Sequence, residues 1–173
     1  METFLDILKY ILPSLVVLAT AYLIIRFYMD TEQKRRNLEL KRNTMEFSIN
    51  LRLQAYERLI LFLERNHPGQ LVIRVHSQGM SADQIHGALM RTVKEEYEHN
   101  LSQQLYVSDQ AWNMVVNARE ELVKVINTAA IELKEDPSST GLAKLIIEKW
   151  MNLEKDPIAL SKAVLKNEAR ALF

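Results

Sequence analysis

The chain has 173 residues, with 22 Lys+Arg balanced by 22 Asp+Glu and no cysteine. A formally neutral chain lacks the strongly basic, aromatic-interleaved domain of a general nucleic-acid binder, so no nucleic-acid partner is expected. The missing thiols exclude disulfides, thiol catalysis and Cys-ligated metals. Only four Gly and four Pro interrupt the chain, and the segments between them show helical rather than alternating periodicity, so the expected fold class is all-α.

The first predicted element is a membrane helix. Residues 10 to 25 carry no charge, and six Lys/Arg follow by position 42 (Arg26, Lys34, Arg35, Arg36, Lys41, Arg42). Sixteen uncharged residues fall short of the roughly 20 that cross the hydrocarbon core. The ends make up the difference, because Lys9 and Arg26 can place their charges among headgroups while Tyr10, Phe27 and Tyr28 suit the interfaces. Residues 10–28 then contact the lipid bilayer over about 27 Å. A cleaved signal peptide would want basic residues first and a small-residue site afterwards. Here Glu2 and Asp6 precede the span, and the A-x-A match at Ala19–Ala21 lies inside it. A buried helix of a soluble domain is the remaining alternative to a permanent span. The basic residues after the span place that side in the cytoplasm, with the N-terminus outside.

Three regions are expected: an anchor over 1–29, a basic helical stalk over 30–48 and a cytoplasmic bundle over 49–173. The span continues into a long helix ending near Asn66, where Ile49, Leu53, Tyr56, Ile60 and Leu63 hold one face as a seam for other helices. Residues 71–75 (Leu-Val-Ile-Arg-Val) have strand-like composition but no partner strand, so they read as a short buried helix or connector. Ser81 and Gln84 match a capping box, which starts a helix over about 82–101. Ser108 caps the next one, a central core helix with Trp112, Val115, Val116, Leu122, Val123, Ile126, Ala129, Ala130 and Leu133 on its apolar face. The polar run from Tyr97 to Ser108 between them reads as the closure of a helical hairpin, with a recognition surface as the alternative. Asp136 to Gly141 break the chain before a helix bearing Leu142, Leu145, Ile146, Trp150 and Leu153, and Asp156-Pro157 starts the last helix.

No phosphate loop, nucleophile elbow, HExxH or EF-hand signature is present. Glu64-Arg-Asn-His67 and Glu96-Tyr-Glu-His99 are both E-x-x-H, and two such pairs on facing helices are half of a ferritin-like carboxylate di-metal site. Glu64, His67, Glu96 and His99 are therefore the candidate metal ligands, with both glutamates expected to face inward. The other half is missing, since the 109–133 helix offers Arg119 on its apolar face and turns Glu120 and Glu121 outward. The preferred reading is structural: Arg119 pairs with Glu96 or Glu64, and no cofactor is bound. His76 and His86 read as a loop residue and a polar-face residue.

The layout of one N-terminal span, a basic stalk, Glu-Tyr-Glu-His-Asn-Leu-Ser-Gln-Gln-Leu-Tyr-Val-Ser at 96–108 and Trp112 soon after resembles a family of small uncharacterised membrane proteins from Bacteroidetes-type bacteria. The resemblance covers most of the chain and is most specific over 95–126. It implies a bacterial inner membrane and brings no activity or site residues. A looser likeness to the membrane-anchored b subunit of the ATP synthase stalk fails at Pro68, Gly79 and Pro137, which fold this chain back on itself.

The expected function is a membrane-anchored adaptor or assembly component working through protein–protein contacts at the cytoplasmic face, with a membrane-associated protein partner. A membrane-tethered carboxylate/histidine metal enzyme is the alternative. Self-assembly into a homo-oligomer through the 49–63 seam is a third possibility.

Overall fold

A computed structural model describes residues 2–133 and 138–172, with side chains from position 11 onward apart from position 12. It contains six α-helices: α1 (Glu2–Arg65), α2 (Pro68–Val75), α3 (Ala82–Asn100), α4 (Asp109–Glu132), α5 (Ser139–Met151) and α6 (Pro157–Arg170). A short 3₁₀ helix, Leu101–Leu105, joins α3 to α4. Among the described residues there is no strand, only an isolated antiparallel bridge between Ser81 and Ser138. The chain divides into two compact units, Met1–Ser48 and Ile49–Phe173.

In the first unit, α1 is long and apolar enough to cross a membrane, and none of its apolar window is buried in protein. Val17, Leu18, Ile24 and Phe27 are each at least 66% exposed, an apolar surface far beyond the scattered single residues that water-facing helices normally show. The polar side chains inside it are satisfied locally. Ser14 Oγ donates to the Ile11 carbonyl at 2.7 Å, and Thr20 Oγ1 lies 2.9 Å from the carbonyls of Val16 and Val17. Hydrocarbon requires that closure of every polar group. The side chains of Lys9 and Tyr10, expected at the outer interface, lie outside the described residues. Beyond the window, Arg36, Arg35 and Arg42 pair with Glu32, Glu39 and Glu46 one helical turn away, so half of the six basic residues of the flank are paired within their own helix.

In the second unit the helix starts follow from local chemistry. Ser81 Oγ accepts from Gln84 N while Gln84 Oε1 accepts from Ser81 N, a complete capping box. Ser108 caps α4 through Ala111 N, and Asp156 caps α6 through Ile158 N and Ala159 N, with Pro157 at its first position. The residues over 71–75 are helical, within α2, whose Leu71 and Val72 are buried. Of the break expected over 136–141, Asp136 and Pro137 lie outside the described residues, and Ser138 caps α5 through Gly141 N.

A single apolar core joins all six helices. Helix α4 is central to it, packing against α3, α5 and α6 through Val115, Leu122 and Ile126. Helix α1 contributes Ala55, Tyr56, Leu59, Phe62 and Leu63, all buried, whereas Ile49, Leu53 and Ile60 of the expected seam are only half-buried. The buried stripe is centred on Leu59, and at 100° per residue Leu53 and Ile60 fall at its edge. Position 64 falls roughly 140° from that centre, which turns Glu64 outward.

Polar connections also tie the helices of the bundle together. Glu168 of α6 accepts from Tyr56 Oη at 3.0 Å with one oxygen and from Ser108 Oγ with the other. Arg52 reaches Tyr56 Oη at 3.3 Å and the Tyr106 carbonyl at 3.1 Å. Ser161 Oγ lies 2.7 Å from the carbonyls of Met114 and Pro157, tying α6 to α4.

Truncating Leu59, fully buried in this core, to Ala is expected to cost about 2–5 kcal/mol. Replacing the Asp156 cap by Ala is expected to cost about 1 kcal/mol. Both are measured by urea unfolding of the full chain in mild detergent, followed by the fluorescence of Trp112 and Trp150. A Leu59→Ala loss no larger than that of Asp156→Ala contradicts the core assignment.

Candidate functional site

The residues singled out as metal ligands do not converge. Among the described residues no group of three or more His, Asp or Glu side chains is placed to hold a metal ion. Glu64 sits on the surface, where Lys162 Nζ donates to it at 2.8 Å, and this hydrogen bond holds its carboxyl below the usual value of 4.5. His67, at the turn into α2, packs edge-on to Trp150 and lies 3.9 Å from Asp156. Glu96 does face inward, as its place between Ile85 and Leu89 on the helical wheel requires. Its partners are two arginines from other helices: Arg65 donates through Nε at 2.9 Å and Nη2 at 2.6 Å, and Arg74 through Nη1 at 3.2 Å. His99 lies one turn further along α3, exposed, lining the same groove as Glu96.

Arg119 is half-buried on α4, as its position in the apolar face demands, but its partner is an aromatic ring rather than Glu96 or Glu64. Its guanidinium lies 4.6 Å from the centroid of the Tyr97 ring, and Nε is buried without a hydrogen-bond partner. Tyr97 also stacks on Trp112 at 5.8 Å and tilts against Phe62 at 6.2 Å. Trp112 and Arg119 are two turns apart on α4, about 10.5 Å of rise, and a ring slotted between them matches the two separations. The quadrupole of Tyr97 thus supplies the negative surface expected from a carboxylate. The carboxylate that sequence reasoning assigned to Arg119 is occupied by arginines brought in by the ends of α1 and α2.

The other two histidines are both structural. His76 Nε2 is 3.1 Å from Ser139 Oγ, joining the end of α2 to the start of α5. His86, expected on a polar face, is half-buried and meets Asn127 Oδ1 at 2.9 Å, bridging α3 to α4.

The Arg65–Glu96 pair lies in a groove of about 510 Å³ between α1 and α3. One wall is Arg58, Leu61, Phe62 and Arg65; the other is Thr92, Glu95, Glu96 and His99, closed at one end by Asn100. Each wall runs at i, i+3, i+4 and i+7, the spacing of residues along one helix flank. Phe62 is buried at the base while Leu61 is 51% exposed. Periodicity from Ile49 to Leu63 missed this groove because Leu61 is off the buried stripe; a stripe of Arg58, Leu61 and Arg65 was the available signal.

Residues 2–172 match the model of a family of unknown function, DUF7935. The chain belongs to that family. Neither the curated proteins nor the solved structures contain a match to it.

Glu96→Gln removes the counter-charge of two arginines and is expected to destabilise the chain by about 1 kcal/mol, less at high salt. Arg119→Met, which removes a buried guanidinium with no hydrogen-bonded acid, is expected to be neutral or stabilising. Urea unfolding orders the two; a larger loss for Arg119→Met would show that its contact with the Tyr97 ring outweighs the cost of burying the guanidinium.

Among the described residues, two shifted groups carry a pH dependence. The depressed Glu64 carboxyl contributes stability that is present above pH 4.5 and lost as pH falls below it. Lys162→Ala should raise the Glu64 carboxyl NMR titration toward the ordinary carboxylate range. Burial pushes the Tyr56 phenol above 10, with Arg52 opposing and Glu168 reinforcing the rise. Its contribution is present below pH 10 and is lost as pH rises through the higher folded value. The absorbance of tyrosinate should show a phenol ionising above pH 10, and Tyr56→Phe should remove that component.

Proposed function

We propose that the protein is a membrane-anchored helical adaptor, or assembly component, that works through protein–protein contacts at the cytoplasmic face of a bacterial inner membrane. The observation that carries this reading is the apolar window of α1, none of which is buried in protein. Lipid is the medium that removes such a surface from water at least cost.

The orientation rests on charge. Arg26, Lys34, Arg35, Arg36, Lys41 and Arg42 follow the window, whereas the residues before it hold Glu2, Asp6 and Lys9. Counted as Lys and Arg alone, the excess is on the C-terminal side, which favours a cytoplasmic bundle. The pairing of three of those arginines with glutamates leaves the topological count intact, because carboxylates contribute little to it. It does weaken the case for a separate role in binding anionic headgroups.

The bundle offers a contact surface in the α1/α3 groove, whose walls have the spacing that helix-in-groove recognition uses. Confinement to a membrane raises the local concentration of partners there, so a small groove can suffice. The carboxylates of the E-x-x-H pairs are engaged by Lys162, Arg65 and Arg74, which gives the metal-enzyme alternative no supporting geometry.

Alkaline phosphatase fused after Phe173 should be inactive in a bacterial host, and a fluorescent protein fused at the same position should be bright. Active phosphatase there overturns the orientation. Recovery of the intact chain in the soluble fraction after cell breakage overturns the anchor.

A further inference from the structure

We propose that the membrane window of α1 pairs, in parallel, with the same window of a second copy of this chain, through the hydroxyl of Tyr22. This rests on the anchor reading above and names what one face of the anchor meets, with lipid around the rest.

Among the described polar side chains of the window, Tyr22 is the one its own helix leaves open. It is 60% exposed, and its hydroxyl has no hydrogen-bond partner among the described residues. Ser14 and Thr20 close on carbonyls of the preceding turn, but the ring of Tyr22 holds its hydroxyl too far out to do the same. Tyr22 lies about 4.5 Å from the midpoint of residues 10–28 and about 9 Å inside their C-terminal end. Helical side chains lean toward the helix N-terminus, so the hydroxyl is carried toward the midpoint and away from the nearer headgroups. Hydrocarbon offers it no partner, and an unpaired hydroxyl there is costly.

The missing partner is on another helix, because only helices and closed barrels span hydrocarbon. A second copy supplies the complement at the right depth. Two copies inserted in the same sense and related by a two-fold axis along the membrane normal bring their Tyr22 hydroxyls to one level. A phenol both donates and accepts, so one hydroxyl donates to the other, and the second donates to a facing backbone carbonyl with a lone pair to spare. Tyr22 selects the face; apolar spacing does not, since every side of this span is apolar. In the 3.5-residue register of a parallel pair, the Tyr22 ring inserts between Leu18 and Ile25 of the second copy, beside the small Ala21. Beyond the window Arg36 is already paired with Glu32 in its own chain at 3.0 Å, which leaves the hydroxyl to decide the pairing.

The chain has no cysteine, so single cysteines report the pairing without background. The full chain is expressed at graded levels in a bacterial host, and isolated membranes are oxidised. Leu18→Cys and Ile25→Cys, on the Tyr22 face, are expected to give disulfide-linked homodimers, whereas Val17→Cys and Ile24→Cys, on the opposite face, are not. With Ile25→Cys as reporter, Tyr22→Phe should raise the expression level needed for half-maximal crosslinking about threefold. Tyr22→Asn, which restores a donor and an acceptor at that depth, should bring it back. With the chain in the membrane fraction, four results overturn the pairing: equal crosslinking on both faces, none on either, products with another protein alone, or indifference to Tyr22→Phe. A chain found outside the membrane fraction overturns the anchor itself, and the pairing with it.

Discussion

The burial of one face of α1, from Ala55 to Leu63, in the core built by the other helices is the interaction on which the remaining features depend. That face brings Tyr56 to Glu168 and Ser108 at one end of the bundle. It carries Arg65 to Glu96 at the other. Its rotation also decides which residues remain outside: Glu64 goes to Lys162, and Arg58, Leu61 and Arg65 form a wall of the groove. The seam that invited self-assembly is partly filled in cis, because Tyr56 and Leu63 are 1% exposed within their own chain, while Ile49, Leu53 and Ile60 are half-buried.

Much of the fold was legible where the determining chemistry is local. Ser81 with Gln84, Ser108, and Asp156 before Pro157 announce helix starts because each side chain closes its own backbone within three residues. The apolar face of α4 was readable for the same reason, since 24 residues of regular spacing leave little ambiguity. Residues 71–75 show the limit of composition. Their β-branched run sits in a helix started by Pro68 and buried through Leu71 and Val72, and tertiary burial outweighs the modest intrinsic cost of Val and Ile there.

The candidate site was less legible, because ion-pair partners are chosen in three dimensions. The wheel placed Glu96 inward correctly and Arg119 on the apolar face correctly, yet the two do not pair. Arg65 and Arg74 lie at helix ends, where a small change in chain direction decides what they reach. Arg119 is served instead by Tyr97, an aromatic partner that no charge-counting argument would select. The inward orientation of Glu64 was wrong because the seam was centred a few residues off, on Leu53 and Ile60 rather than on Leu59. An error of that size in the buried stripe is enough to carry a side chain from the core to the surface.

The family match establishes kinship over 2–172 and leaves the chemistry to be argued from the molecule. Among the described residues, the apolar window of α1 and the α1/α3 groove are surfaces left open by the rest of the chain. The account assigns lipid to the first and another protein to the second. Its central claim is tested most directly by placing a photo-crosslinking amino acid at Leu61, in the groove, and in a separate variant at Ile131, 81% exposed and outside it, in native membranes. The account predicts a discrete heterologous product from position 61 that is absent from position 131. Identical products from both positions, or none from 61, would contradict it.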